Sequence, residues 1–84
     1  MDINIETEVI ALIAAFDGLI PPNQLQDMRD LNAAGEPGVA FENLCSQLFE
    51  FDVEVNAAQY SQIRKVGLAM GIKTKYWERL CTDS

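Results

Sequence analysis

The sequence predicts a small all-α bundle of four to five short helices in a single domain, residues 1–84, and three observations lead to this prediction. Apolar residues recur at spacings of three and four along most of the chain, which is the period of a helix with one buried face. Prolines and glycines interrupt this pattern at intervals of helical length. The 84 residues, 49% of them hydrophobic, are enough for one core and too few for two.

The first helix is predicted at about residues 5–20 and the second at about 22–33. Pro21 and Pro22 cannot continue a helix, whereas Pro22 suits the first turn of the next one. A turn over 32–38 then ends the second helix. The apolar positions are Ile5, Val9, Leu12, Ile13, Phe16 and Ile20 in the first helix and Leu25, Met28 and Leu31 in the second.

The third helix is predicted at about residues 38–51, followed by a connector over 52–55. Its period divides the side chains into two sets. The inward set is Phe41, Leu44, Cys45, Leu48 and Phe51. The outward set is Asn43, Ser46, Gln47 and Glu50.

The fourth helix begins with the clearest local signal in the chain, a capping box. The Asn56 side chain can accept a hydrogen bond from the backbone N–H of Gln59, while the Gln59 side chain reaches back. Val55 and Tyr60 occupy the two positions of a hydrophobic staple. These residues predict a helix start at this point.

The fourth helix should run to about Met70, because Gly71 can adopt the conformation that ends a helix. Thr74 is then predicted to cap a short last helix. The apolar residues of that last helix are Tyr76, Trp77, Leu80 and Cys81.

The charge excludes several classes of function. Thirteen acidic side chains against six basic ones give a net charge of −7, which disfavours binding to nucleic acid phosphates or to an anionic membrane. The longest apolar run, Val9 to Phe16, is much shorter than the roughly 20 residues of a membrane span, and no basic region precedes it. We therefore expect a cytoplasmic protein that binds neither nucleic acid nor membranes.

The side chains needed for catalysis are largely missing from this sequence. Without histidine there is no ordinary near-neutral acid–base group and no Ser-His or Cys-His nucleophile pair. Cys45 and Cys81 are the only cysteines and cannot complete a four-ligand zinc site. We expect a protein that is not an enzyme, holds no metal or cofactor, and keeps both thiols reduced.

The charges are unevenly distributed along the chain. Residues 1–63 contain eleven acids and one base, a local charge of −10, whereas residues 64–84 contain five bases and two acids, a local charge of +3. Such a single-sign surface suits attraction of an oppositely charged partner. The alternative interpretation is a solvated helix face that keeps the protein soluble.

The candidate partner-binding residues lie on and around the third helix. The acids between residues 36 and 54 have no base among them, and uncharged hydrogen-bonding side chains lie beside them on the same helix. The predicted set is Glu36, Glu42, Asn43, Ser46, Gln47, Glu50, Asp52 and Glu54.

Two clusters of aromatic residues could contribute apolar anchors to an interface. One lies on the third helix and the other in the C-terminal half: Phe41, Phe49 and Phe51, and Tyr60, Tyr76 and Trp77. Most of these rings are expected in the core, because so small a bundle needs large side chains there. Phe49 lies at the flank of the apolar stripe, so Phe49 and one of Tyr76 or Trp77 are the candidates for exposed anchors.

Part of the sequence resembles a known family over roughly residues 30–80. The residues that carry the resemblance are Gly35-Glu36, Gly38, Ala40, Glu42-Asn43-Leu44-Cys45, Leu48, Glu50 and Asp52-Val53, followed by Tyr60, Ile63, Gly67 and Met70-Gly71. They are similar to the small helical immunity proteins of bacterial polymorphic toxin systems, of the Maf type and of contact-dependent growth inhibition.

This resemblance implies an inhibitor of the C-terminal domain of a cognate toxin, with an EndoU-like ribonuclease as the first expectation and an RNase A-like one as the second. It assigns no individual inhibitory residues, so the candidate set above depends on charge and exposure alone. A monomer is expected. The alternative function is an acidic helical adaptor or antitoxin-like protein whose partner is not a nuclease.

Overall fold

The computed structural model describes residues 4–80, and within that range it contains four α-helices and one short 3-10 turn. Their bounds are α1, Ile5–Ala15; α2, Pro22–Ala33; α3, Pro37–Glu50; α4, Ala57–Ala69; and the 3-10 turn, Thr74–Tyr76. The predicted all-α bundle is confirmed.

The core lies between the four helices. α2 and α3 pack against each other most extensively, and α1 contacts α2, α3 and α4. The fully buried side chains are spaced by three and four along each helix, as the sequence predicted. The largest are Trp77, Phe16, Phe41, Leu12, Ile13, Leu25, Met28, Leu44, Leu48 and Ile63.

α1 is shorter than predicted. It ends at Ala15, not near residue 20, because the chain turns at Gly18, whose φ of +86° is incompatible with a continuing helix. Ile20 is still buried, but the turn places it there. Pro21 and Pro22 therefore do not end α1; they supply the N-cap and first position of α2, as predicted for Pro22.

α2, α3 and α4 all end in the same way. The residue after each C-cap has a positive φ: Gly35 at +85°, Asp52 at +54° and Gly71 at +70°. The next backbone N–H then donates to a carbonyl five residues earlier, the hydrogen bond of a Schellman motif. These bonds are Glu36 to Leu31, Val53 to Leu48 and Ile72 to Gly67, each 2.9 Å.

At the end of α3, the structure differs from the prediction at one residue that was expected in the core. Phe51 is the C-cap of α3 and remains 46% exposed. The helical period no longer applies at that position, because the chain leaves the helix through the left-handed conformation of Asp52. The inward position predicted for Phe51 was wrong.

The start of α4 confirms the predicted capping box. The Asn56 side chain accepts from the Gln59 N–H at 2.8 Å, and the Gln59 side chain accepts from the Asn56 N–H at 3.0 Å. Val55 is fully buried and Tyr60 packs against the same core. The connector before Asn56 thus reaches α4 in a defined direction.

Two side-chain hydrogen bonds tie α1 to its neighbours. The buried Asn32 of α2 donates to the backbone carbonyl of Glu6 at 3.0 Å, and Gln62 of α4 donates to the Glu8 carboxylate at 2.5 Å. The sequence predicted Asn32 in the C-cap and turn that end the second helix. It is instead a polar contact inside the bundle.

The segment after α4 is held by Trp77. The predicted last helix is only a 3-10 turn, and Thr74 is its first residue; the N-cap is Lys73. Trp77 is buried, and its indole packs edge-on against the Phe41 ring with centroids 6.0 Å apart. Cys81, also placed in that helix by the sequence, lies outside the described residues.

The same indole covers the backbone of Gly67 in α4. A Cβ at position 67 would lie less than 3.0 Å from atoms of the Trp77 ring. The missing side chain is therefore what allows the C-terminal segment to approach α4.

We predict that Gly67→Ala destabilises the protein by about 1–3 kcal/mol, the usual cost of overpacking a core. This loss should outweigh the gain of up to about 1 kcal/mol that alanine brings to a helix interior. Urea unfolding followed by far-UV circular dichroism measures the effect.

Gly38→Ala is the matched control, because Gly38 also lies in a helix and an added Cβ there meets nothing within 4 Å. It should leave stability unchanged or raise it. Equal stabilities for the two variants would contradict the role assigned to Trp77.

Candidate functional site

The helical period determines which side chains of α3 lie on its outer face. α3 buries Ala40, Phe41, Leu44, Cys45 and Leu48 on one side. The opposite side follows from the same spacing and carries Val39, Glu42, Asn43, Ser46, Phe49 and Glu50. A helix of 14 residues is about 21 Å long, so these side chains form a strip, which we call the acidic strip.

The predicted partner-binding residues are distributed along the whole of this strip and beyond both of its ends. Asn43, Ser46 and Glu50 are exposed on α3, whereas Glu42 and Gln47 are half-buried at its opposite edges. The other three lie outside the helix and are exposed: Glu36 at the N-cap, Asp52 at the left-handed C-terminal turn, and Glu54 in the connector.

A groove between α2 and α3 extends the acidic strip onto α2. Asn43 lines this groove together with Asp27 and Asp30, and Leu31 and Ala34 supply its apolar part; its volume is about 450 Å³. Asp30 also accepts a hydrogen bond from Gln26 at 2.9 Å.

Asp27 and Asp30 were not among the site residues predicted from the sequence. They are three residues apart and so share one side of α2, but only the tertiary packing brings that side next to Asn43.

A second groove separates α3 from the C-terminal segment, and we call it the aromatic groove. Buried Cys45 and Leu80 lie at its base, and Phe49 and Tyr76 come from its two sides. The remaining lining residues are polar or charged: Ser46, Lys75, Glu78 and Arg79. Its volume is about 330 Å³.

Two cations in the aromatic groove lie over aromatic rings. The Arg79 guanidinium is 5.3 Å from the Phe49 ring centroid, and the Lys75 ammonium is 5.6 Å from that of Tyr76. Both distances are within the range of cation–π attraction. Arg79 is therefore folded back against α3, the helix that carries the acidic strip.

The structure distinguishes between the candidate aromatic anchors. Phe49 is 54% exposed and Tyr76 is 37% exposed, whereas Trp77 is buried in the core. Of the pair Tyr76 and Trp77, only Tyr76 can contact a partner directly.

The thiol at the base of the aromatic groove is held in its neutral form. Burial, with a smaller contribution from the nearby Glu42 carboxylate, raises the pKa of Cys45 to about 12. Because the thiolate is the nucleophile and the metal ligand, Cys45 is suited to packing. Residues 4–80 bring together no group of three or more metal-binding side chains, and none of their helices is long and apolar enough to cross a membrane.

The chain was compared with protein-family models, with curated proteins and with solved structures, and none of these matches it. Any function assigned to the chain therefore rests on its surface and on the sequence resemblance of residues 30–80.

The raised pKa of Cys45 predicts a loss of stability at alkaline pH. Above about pH 9 the unfolded thiol ionises while the folded one keeps its proton up to about pH 12, so the unfolded state binds fewer protons. The free energy of unfolding should fall over this interval by at most about 1.4 kcal/mol per pH unit.

Urea unfolding between pH 7 and 11 measures the free energy of unfolding of the Cys81→Ser protein. The control is the same protein with Cys45→Ala added. The difference between the two proteins isolates Cys45 from the other groups that titrate there. A difference that does not change with pH would contradict the assignment.

Proposed function

We propose that this chain is an immunity protein that binds and neutralises the ribonuclease domain of a bacterial toxin through the acidic strip of α3. The observation that carries the proposal is the acidic outer surface of α2 and α3, on which Asp27 and Asp30 share a groove with Asn43 of the acidic strip, with exposed Phe49 at the edge of the strip. The resemblance of residues 30–80 to small helical immunity proteins supports the same function.

The resemblance implies a ribonuclease as the partner, and the charge of the acidic strip fits such a partner. A ribonuclease binds the phosphates of RNA with lysines and arginines, so its substrate groove is basic. Carboxylates such as Glu42 and Glu50 can pair with the same cations through charge-assisted hydrogen bonds. The inhibitor then acts by occupying the RNA site or its rim, and no catalytic group is required.

The net charge also favours fast association with the partner. A net charge of −7 attracts a basic partner over long distances and can raise association rates toward about 10⁸–10⁹ M⁻¹s⁻¹ at low salt. Rapid capture matters for an inhibitor, because every free toxin molecule can turn over many substrates.

Phe49 supplies the apolar contact that such an interface needs. Charged rims mainly set association rates, whereas buried aromatic side chains set dissociation rates. Phe49 belongs to α3, and Arg79 holds one side of its ring, so little conformational entropy is lost when a partner covers it.

The proposed class of partner is tested by coexpressing a tagged form of the chain from its own operon. The copurifying protein should cleave RNA, and added immunity protein should abolish that cleavage at a stoichiometric ratio. A partner that cleaves no RNA would overturn the proposal in favour of an adaptor for a non-nuclease protein.

The acidic strip is tested with Glu42→Lys/Glu50→Lys. This double variant should slow association with the isolated partner by about tenfold or more at low salt, because the local field changes sign. The effect should shrink as salt is added. Stopped-flow or surface plasmon resonance measurements at several salt concentrations give the rates.

Glu6→Lys/Asp17→Lys is the control, since it changes net charge equally at exposed positions outside the strip. Circular dichroism should show a folded helical protein for both variants. If both slowed association equally, net charge would matter and the acidic strip would not be the interface.

A further inference from the structure

We propose that the aromatic groove between α3 and the C-terminal segment binds a segment of a protein partner that carries a carboxylate beside an apolar side chain. This second docking surface borders the acidic strip and shares Ser46 and Phe49 with it. The inference stands without the proposed function, because it depends only on the groove and its charges.

The shape of the groove accounts for the apolar part of its occupant. Cys45 and Leu80 form an apolar base, and the Phe49 and Tyr76 rings come from different elements on its two sides. Both rings remain substantially exposed, so a side chain inserted between them would remove apolar surface from water on two sides. The volume of about 330 Å³ accommodates one large side chain with adjoining backbone.

The charges of the aromatic groove indicate that its occupant carries a carboxylate. Lys75 and Arg79 outnumber Glu78 among the residues that line the groove, so this lining carries a net positive charge in a protein whose net charge is −7. Their positions over the Tyr76 and Phe49 rings keep both cations at the groove. An anion bound there would face two positive groups, one of them a guanidinium that can bind a carboxylate through two parallel hydrogen bonds.

The groove is also organised before any ligand binds. Buried Trp77 lies between the two cationic positions in sequence and anchors the segment that carries them. Phe49 and Ser46 belong to the regular helix α3. A partner segment would therefore lose its own freedom on binding but would not have to order this surface.

The probe is the peptide acetyl-Gly-Phe-Glu-Gly-amide, titrated into the full ¹⁵N-labelled chain and followed by two-dimensional NMR. We expect shifts centred on the amides of Ser46, Phe49, Tyr76 and Arg79. The dissociation constant should be on the order of 1 mM, as suits a short flexible peptide in an open groove. Replacing the glutamate of the peptide by glutamine should weaken binding about two- to fivefold, the range of an exposed ion pair.

Arg79→Gln should abolish the preference for the glutamate peptide, whereas the matched control Arg64→Gln, at an exposed position on α4 outside the groove, should retain it. Three results would overturn the inference: no shifts at about 10 mM peptide, equal binding of a lysine-containing peptide, or a glutamate preference that persists in Arg79→Gln. Each is independent of whether the chain inhibits a ribonuclease, so failure here leaves that proposal unaffected.

Discussion

The packing of the Trp77 indole on the bare backbone of Gly67 is the contact on which the surface between α3 and the C-terminal segment depends. Trp77 occupies the space in which a side chain at position 67 would lie, and its edge-on contact with Phe41 joins the C-terminal segment to α3 as well. The side chains around it, Lys75 and Arg79, are exposed and cannot anchor the segment alone. Without this apolar anchor, the basic residues would have no fixed position relative to the acidic strip.

Most of the fold could be predicted because its signals are local. A capping box, a proline at a first helical position and a glycine after a last turn act within a few residues, so Asn56, Pro22 and Gly71 could be recognised directly. The failures are equally specific. Gly18 ended α1 early although the apolar period continued to Ile20, and the last turn formed only a 3-10 turn because tertiary packing of Trp77 determined its path.

The candidate site could be predicted only in part, for a related reason. The outward residues of α3 follow from one helical period, whereas the approach of Asp27 and Asp30 and the folding back of Arg79 onto Phe49 depend on how helices pack. Counting charges along the sequence separates an acidic region, residues 1–63, from a basic region, residues 64–84. Packing places Arg79 of the basic region against Phe49 of the acidic strip, so both signs of charge occur around α3 where the sequence suggested two separate regions.

Because of this arrangement, the electrostatic force on a partner differs between long range and contact. At distances larger than the spacing between its charges, the protein attracts any basic protein mainly through its net negative charge, and this attraction weakens beyond the Debye length of about 8 Å at physiological salt. At contact the partner meets two signs, because Lys75 and Arg79 line a groove together with Ser46 and Phe49 of the acidic strip. A uniformly basic surface would be attracted from afar and then repelled at the aromatic groove. Selectivity under the two proposals would therefore come from the cations, although they are the minority charge of the molecule.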